Sequence, residues 1–210
     1  NVPEYAIIFH AVASLGGINT LINPLYTEQE VTHQLKDSGA RFLVTAPAFI
    51  EKARKARDEA NIEELFVFGE APEATPFASL LDSDGEFPHV EIDTREDLVA
   101  LPYSSGTTGL PKGVMLTHYN LVANLCQMDG LLYFSQNDTL ICVLPLFHIY
   151  GLVVILNMGL YMGSTIVTLP RFDLEQFLKT VQDYEVTLAH LVPPIVLTLS
   201  KHPIVDNYQL

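Results

Sequence analysis

Leu101–His118 reads LPYSSGTTGLPKGVMLTH. Within it Ser104, Ser105, Thr107 and Thr108 crowd around Gly106 and Gly109, and Pro111, Lys112 and Gly113 close the run. Glycine reaches backbone angles that other residues avoid, so such a turn can aim several N–H groups at one point. A nest of this kind binds anions, phosphate above all. The hydroxyls add short donors for phosphate oxygens or a metal-bound water, and Lys112 adds a compact positive charge. Two apolar runs, Leu98–Tyr103 and Val114–Leu116, flank the turn and read as strands joined by it. A Ser/Thr/Gly surface linker would have no such flanks.

Two commoner phosphate motifs do not fit. A Walker A loop reads G-x-x-x-x-G-K-[ST]. Counted from Gly106, Pro111 stands at the second glycine and Gly113 follows Lys112. There is also no G-x-G-x-x-G, so the dinucleotide fingerprint fails. SSGTTGLPKGVMLTH does resemble, at every position, the phosphate loop of the AMP-forming adenylate enzymes. That superfamily includes acyl-CoA synthetases, 4-coumarate–CoA ligases and beetle luciferases.

Working outward, helix and strand patterns alternate. Glu4–Leu15 is helical and stops at Gly16-Gly17. Ile18–Asn23 is a short strand. Thr27 and Glu30 form a capping box for a helix that ends at Gly39. Arg41–Thr45 is a strand, Pro47 to about Asn61 a helix with a charged outer face, and Leu65–Phe68 another strand. The acidic, proline-rich stretch Glu70–Asp97 reads as an exposed crossing with at most one short helix, Phe77–Leu81. Beyond the loop, Thr117 caps a helix from His118 to about Tyr133, with Leu121, Leu125, Met128 and Leu132 on one face. Strand Thr139–Leu144, helix Tyr150–Met162 and strand Ser164–Leu169 come next. Asp173 then caps a helix, Val186–Val192 is a strand, and Pro194 opens the final helix. This alternation predicts an α/β fold with doubly wound, mostly parallel sheets and flanking helices. Two lobes are expected, approximately 1–134, with the phosphate loop at 103–113, and 135–210.

Composition narrows the class. Of 210 residues, 49% are hydrophobic, enough for a sizeable core. The formal net charge of −14 argues against nucleic acid and anionic membranes as partners, so a bound nucleotide must rely on local donors. Cys126 and Cys142 sit in apolar sequence and read as buried free thiols. Thr139–Leu169 carries no charged residue apart from His148, yet Pro145, Gly151, Gly159 and Gly163 break it. A buried strand, helix and strand explain it better than a membrane span. No signal peptide heads the chain, and both ends read as cuts within a longer protein.

Four further segments resemble the 4-coumarate–CoA ligase branch: NPLYTEQEVTHQLKDSGARFLVT at 23–45, PLFHIYGL at 145–152, LPRFDLEQFL at 169–178 and VPPIVLTLSKHP at 192–203. His148 comes after an apolar strand, where ligands of open α/β sheets gather. A hydrogen-bonded core histidine is its bland alternative. The resemblance implies that His148 lines the acyl pocket and serves catalysis, and that Tyr150 contacts the acyl group. It sets Arg171 against the phosphates of coenzyme A, where a solvated arginine at a strand end is an equal alternative. It puts Ser104, Ser105, Gly106, Thr107, Thr108, Gly109 and Lys112 on the ATP phosphates, with Lys112 also serving catalysis and Thr107 and Thr108 toward Mg2+. His118 reads as structural. His10, His33, His89, His190 and His202 have no motif behind them.

The implied reaction joins a carboxylic acid, 4-coumarate-like or a medium- to long-chain fatty acid, to coenzyme A through an acyl-AMP. The resemblance further implies that the adenine and ribose sites, an acidic magnesium residue and a C-terminal domain with the adenylation lysine lie beyond Leu210. The expected compartment is cytoplasmic, or peroxisomal in a eukaryote. Two other functions stay open: a luciferase-like oxygenase that makes the same adenylate, and an inactive nucleotide- or acyl-binding module. Oligomeric state is open as well.

Overall fold

The computed structural model describes residues 1–82, 85–104, 111–131 and 135–210. In chain order the regular elements are α1 (Glu4–Ser14), β1 (Asn19–Leu21), α2 (Glu28–Ser38), β2 (Phe42–Thr45), α3 (Ile50–Ala60), β3 (Glu64–Val67), β4 (Thr75–Pro76), β5 (Leu98–Ser104), β6 (Lys112–Gly113), β7 (Leu116–Thr117) and α4 (His118–Met128). Then come β8 (Thr139–Cys142), a π-helical stretch over Gly151–Asn157, α5 (Met158–Met162), β9 (Thr165–Thr168), α6 (Leu174–Asp183), β10 (Leu188–Ala189) and α7 (Pro193–Lys201). The parallel, helix-flanked α/β class expected from the alternating pattern is the class observed. No described helix is long and apolar enough to cross a membrane. Thr139–Leu169 forms the strand, helix and strand predicted for it.

Two compact units form. One comprises Leu15–Ile92 and Leu98–Met115, the other Asn1–Ser14, Asp93–Asp97 and Leu116–Leu210. The chain passes between them at 14/15, 92/93, 97/98 and 115/116, and position 134 falls within a single unit.

In the first of these units β5 runs parallel to β1, with Ala100 opposite Asn19, and antiparallel to β6, with Ser104 opposite Lys112. A second sheet has the order β2-β3-β4, all parallel. Its helix α2 starts as the sequence predicts: the Glu30 amide donates to Thr27 Oγ1 at 3.3 Å, and the Thr27 amide donates to Glu30 Oε2 at 2.7 Å. Gly39, in the left-handed region at φ 64°, ends it. Val31 and Leu35 of α2 bury against Ala56 of α3 and Ile62. Buried Gln34 donates from Nε2 to Thr20 Oγ1 and to the Leu21 carbonyl, which fastens α2 to β1.

In the other unit the strand order is β10-β8-β9, all parallel. Leu140, Ile141 and Cys142 of the central strand are wholly buried. Burial pushes the Cys142 thiol up to about 12, so it behaves as a small apolar group. Asp138, just ahead of β8, ties the strand starts together. It accepts from the Ser135 amide at 2.6 Å and from Thr187 Oγ1 at 2.7 Å.

Five expectations need correction. The returning strand Val114–Leu116 is interrupted: the Val114 amide donates to the Pro102 carbonyl at 2.8 Å and Leu116 lies in a strand, but the regular pairing is displaced. Val114 and Met115 are exposed, and the pairing falls on Lys112–Gly113 and on Leu116–Thr117. Helix α4 stops at Met128, where Asp129 turns extended and Gly130 takes φ 83°; Leu132 and Tyr133 lie outside the described residues. Cys126 is exposed rather than buried, because α4 buries none of its residues fully. The strand at 186–192 shrinks to Leu188–Ala189, since the Val186 amide is taken by the Val181 carbonyl and Pro193 opens α7. The crossing carries a short strand, β4, that its proline-rich composition hid.

Asp138 gives a pH-dependent prediction. The Thr187 hydroxyl and the Ser135 amide hold its carboxyl below the ordinary value of 3.8. Its contribution is complete above that unfolded value and is lost as pH falls through the lower folded one. Urea unfolding monitored from pH 6 to pH 2 should show this acid-side loss, and Asp138→Asn should abolish that part of it.

Candidate active site

Two clusters carry the predicted site residues, one in each unit. The first stands at the neck of the glycine-rich loop. Ser104 ends β5 and Lys112 begins β6, and they are direct partners across the antiparallel ladder. Opposite residues in such a pair project to the same face, so the lysine and the serine emerge side by side where the chain enters and leaves the loop. Both are exposed. Ser105, Gly106, Thr107, Thr108 and Gly109 lie outside the described residues.

The neck is braced from behind. Tyr103 Oη donates to Asp37 Oδ2 at 2.6 Å, linking β5 to the end of α2. Burial, with that carboxylate second, pushes the Tyr103 phenol up, so it stays a donor. A side chain at position 113 would put Cβ 3.2 Å from Tyr103 Cε2, so glycine lets the ring lie across β6. Lys112 makes no ion pair among the described residues, whereas Arg41, Arg54 and Arg57 are all paired with carboxylates. In a chain of charge −14, Lys112 is therefore an exposed local cation with no carboxylate partner among the described residues.

The second cluster lies at the carboxyl ends of β8, β9 and β10. Three parallel strands in register deliver their exit loops to one edge of the sheet, the ordinary ligand-binding edge of an open α/β sheet. His148 and Tyr150 come after β8, Arg171 after β9, and His190 after β10. The Leu169 amide donates to the Cys142 carbonyl at 3.0 Å, which holds the first two of these exits together.

Between β8 and the next helix the chain makes a tight turn. The Leu152 amide donates to the His148 carbonyl at 3.0 Å and the His148 amide to the Pro145 carbonyl at 3.2 Å. Gly151 packs directly on Pro145. A Cβ there would collide with the Pro145 carbonyl oxygen and stand 2.7 Å from its carbon and 3.3 Å from Leu146 Cα, all backbone atoms. From Gly151 the helix continues with wide π turns in place of the α-helix predicted, and buried Asn157 donates from Nδ2 to the Leu152 carbonyl at 2.8 Å. π turns concentrate at functional sites.

The turn also orients His148. The Tyr150 amide donates to His148 Nδ1 at 3.2 Å. An acceptor at Nδ1 puts the imidazole proton on Nε2, so the exposed ring presents an N–H donor outward. Arg171 is exposed between β9 and α6 and makes no ion pair among the described residues.

Three contributors escape sequence reading. The Asn1 side chain donates to the Cys142 carbonyl at 3.1 Å and the Leu144 carbonyl at 3.0 Å, and accepts from the Leu146 amide at 2.9 Å. It knits the strand end that leads to His148 to the far end of the chain, and no local pattern announces such a contact. Gly151 stands within the HIYG run, but the backbone collision it avoids is three-dimensional. His190 bonds to Tyr150 Oη at 3.0 Å.

A model described as AMP-binding enzyme matches residues 1–209. The chain is 45% identical to 4-coumarate–CoA ligase 2 of Petroselinum crispum, over all of this chain and 39% of that protein. Among solved structures, a long-chain-fatty-acid–CoA ligase from Archaeoglobus fulgidus superposes with a TM-score of 0.85 at 30% identity, over 95% of this chain and 40% of that one. A red-emitting luciferase from Phrixothrix hirtus superposes with a TM-score of 0.88 at 25% identity, over all of this chain and 42% of that one. The chain thus spans about two fifths of the length of these relatives.

The turn supplies a test. Gly151→Ala in the protein of native length should force Pro145 and the His148 loop apart. An accessible-histidine modification assay with diethyl pyrocarbonate should show a changed rate at His148, and urea unfolding a loss of at least about 1–3 kcal/mol, the usual cost of overpacking. Asn1→Ala, which removes three part-buried hydrogen bonds while the Cys142 carbonyl keeps the Leu169 amide, should cost about 1–3 kcal/mol in the same unfolding assay.

Proposed function

The chain belongs to the AMP-binding enzyme family, and from that premise we propose that it is part of an ATP-dependent carboxylic acid–CoA ligase. The single observation that carries the proposal furthest is the Ser104–Lys112 pair at the neck of the glycine-rich loop, a lysine with no ion pair among the described residues beside a hydroxyl, where a phosphate chain would enter. The 45% identity to a 4-coumarate–CoA ligase supports an aromatic acid of that kind as substrate. The likeness to the fatty-acid–CoA ligase supports an aliphatic one.

In the first step a carboxylate oxygen attacks the α-phosphorus of ATP, the bond to the β-phosphate bridge breaks, and pyrophosphate leaves. In the second, the coenzyme A thiol loses its proton and its sulfur attacks the acyl carbon. The acyl carbon's bond to the bridging oxygen breaks, and AMP departs with that oxygen. Such chemistry asks for position and charge stabilisation more than covalent help from the protein. We assign the loop residues Ser104, Ser105, Gly106, Thr107, Thr108 and Gly109, with Lys112, to the β- and γ-phosphates, where charge builds on the leaving group. We assign the outward Nε2–H of His148 to an oxygen of the reacting carboxylate, Tyr150 to the acyl group, and the Arg171 guanidinium to coenzyme A phosphates, for which a fork of donors is well suited.

Mg2+ takes hard oxygen ligands and keeps several waters. The Thr107 and Thr108 hydroxyls suit that donor class. We propose the cytoplasm as the compartment, on resemblance alone. Residues 1–210 by themselves should turn over little or nothing, because the resemblance puts the adenine site and the adenylation lysine outside them.

Lys112→Ala tests the proposal. In the protein of native length it should slow acid-dependent ATP–pyrophosphate exchange by about 10²–10³, the usual cost of removing one preorganised charge-stabilising donor. Unchanged exchange would refute the assignment. A luciferase-like reaction, which the Phrixothrix hirtus likeness keeps as the second reading, would announce itself by light with luciferin, ATP and oxygen.

A further inference from the structure

Tyr150 is held at both ends by imidazoles. Its amide donates to His148 Nδ1 at 3.2 Å, and its hydroxyl oxygen lies 3.0 Å from His190 Nδ1. The Tyr150 and His190 rings also meet edge to face, with centroids 5.8 Å apart and planes at 67°. These two residues are 40 apart in sequence. Parallel pairing of β10 with β8, Leu188 opposite Leu140 and Ala189 opposite Ile141, brings His190 to the edge of the sheet where the His148 loop emerges. Tyr150 keeps 41% of its surface open, so it faces outward while its hydroxyl is anchored from the side.

We propose that His190 is a positioning residue for the acyl site, one that fixes the direction of the Tyr150 hydroxyl and so makes this tyrosine discriminate acids that carry a hydrogen-bond donor from acids that do not. The inference rests on the reading of Tyr150 as part of the acyl site. Burial lowers the His190 titration below its ordinary range, so the imidazole is neutral at pH 7. A neutral imidazole has one accepting nitrogen, and on this proposal it is Nδ1, facing the phenol, with the ring proton on Nε2. A phenol has a single proton to give. Once it is committed to Nδ1, the Tyr150 oxygen meets any further group as an acceptor only. A hydroxyl-bearing acid satisfies that acceptor, and an acid without a donor leaves it unmatched when water is displaced. Sites built on such a hydrogen bond reject the analogue lacking it more strongly than apolar sites reject a change of size.

The test uses the native-length protein and compares kcat/KM for 4-hydroxycinnamate and cinnamate by acid-dependent pyrophosphate exchange. The hydroxylated acid should be preferred in the parent protein. His190→Phe, which keeps an aromatic ring against Tyr150, should reduce that preference about tenfold, one net hydrogen bond's worth, while the value for cinnamate stays within about twofold. His190→Gln, with an amide oxygen to accept from the phenol, should restore part of it. Tyr150→Phe should reduce the preference equally, and the double variant should lose no more than either single one. Exchange with an unchanged preference in His190→Phe, or additive losses in the double variant, would overturn this inference alone. No exchange with any acid in the parent protein would overturn the ligase reading and this inference with it.

Discussion

At the end of β8 a carbonyl oxygen and an α-carbon approach so closely that only hydrogen fits between them. Pro145 supplies the carbonyl and Gly151 the α-carbon. The turn they close holds Leu146 in the core and throws His148, Ile149 and Tyr150 outward. A strand buried on both faces has no polar side chains to offer chemistry, as Leu140, Ile141 and Cys142 illustrate. Function must therefore be delivered by the turn at the strand's carboxyl end. That delivery is rigid, because the Asn1 carboxamide satisfies the backbone on the near side of the turn and the π-helical stretch begins at once on its far side. The same turn holds the His148 ring, whose Nδ1 accepts from the Tyr150 amide.

The loop neck obeys a different constraint. Its problem is charge: a protein of net −14 repels polyanions at long range. Lys112 is a local positive charge in register with Ser104, on a two-residue strand too short to be stable without support. That support comes from Tyr103, whose ring covers Gly113 and whose hydroxyl reaches Asp37 on α2. Other cations of this unit are consumed by neighbours. Arg41 grips Glu63 in a two-pronged pair, and Lys52 donates to the Pro24 and Tyr26 carbonyls. What distinguishes Lys112 is its lack of such an engagement among the described residues.

Much of this was legible in the residues because it is local. Thr27 with Glu30, Thr117 and Asp173 are caps whose partners sit three residues on, so spacing alone finds them. Gly39 and Asn61 mark left-handed helix ends for the same reason. The glycine-rich loop is likewise a contiguous signal. The features that stayed hidden are non-local or depend on close packing. Asn1 acts on residues 142 to 146, His190 meets Tyr150 through strand pairing, and Gly151 matters through one interatomic approach. Apolar pattern also misplaced the return strand, since Val114 and Met115 are apolar yet stand in solvent while Lys112–Gly113 does the pairing. Hydrophobic periodicity reports burial, and neither the ladder at a loop neck nor a π turn is chosen by burial.

Activation of the acid as an adenylate bonds one carboxylate oxygen to the α-phosphorus of ATP, and isotope tracing follows that oxygen. The native-length protein would be supplied with ATP, coenzyme A and a cinnamic or fatty acid carrying 18O in both carboxylate oxygens, and the products read by mass spectrometry. AMP should carry one 18O, with the thioester retaining the other and pyrophosphate unlabelled. Unlabelled AMP, or 18O in inorganic phosphate beside ADP, would contradict activation of the acid as an adenylate.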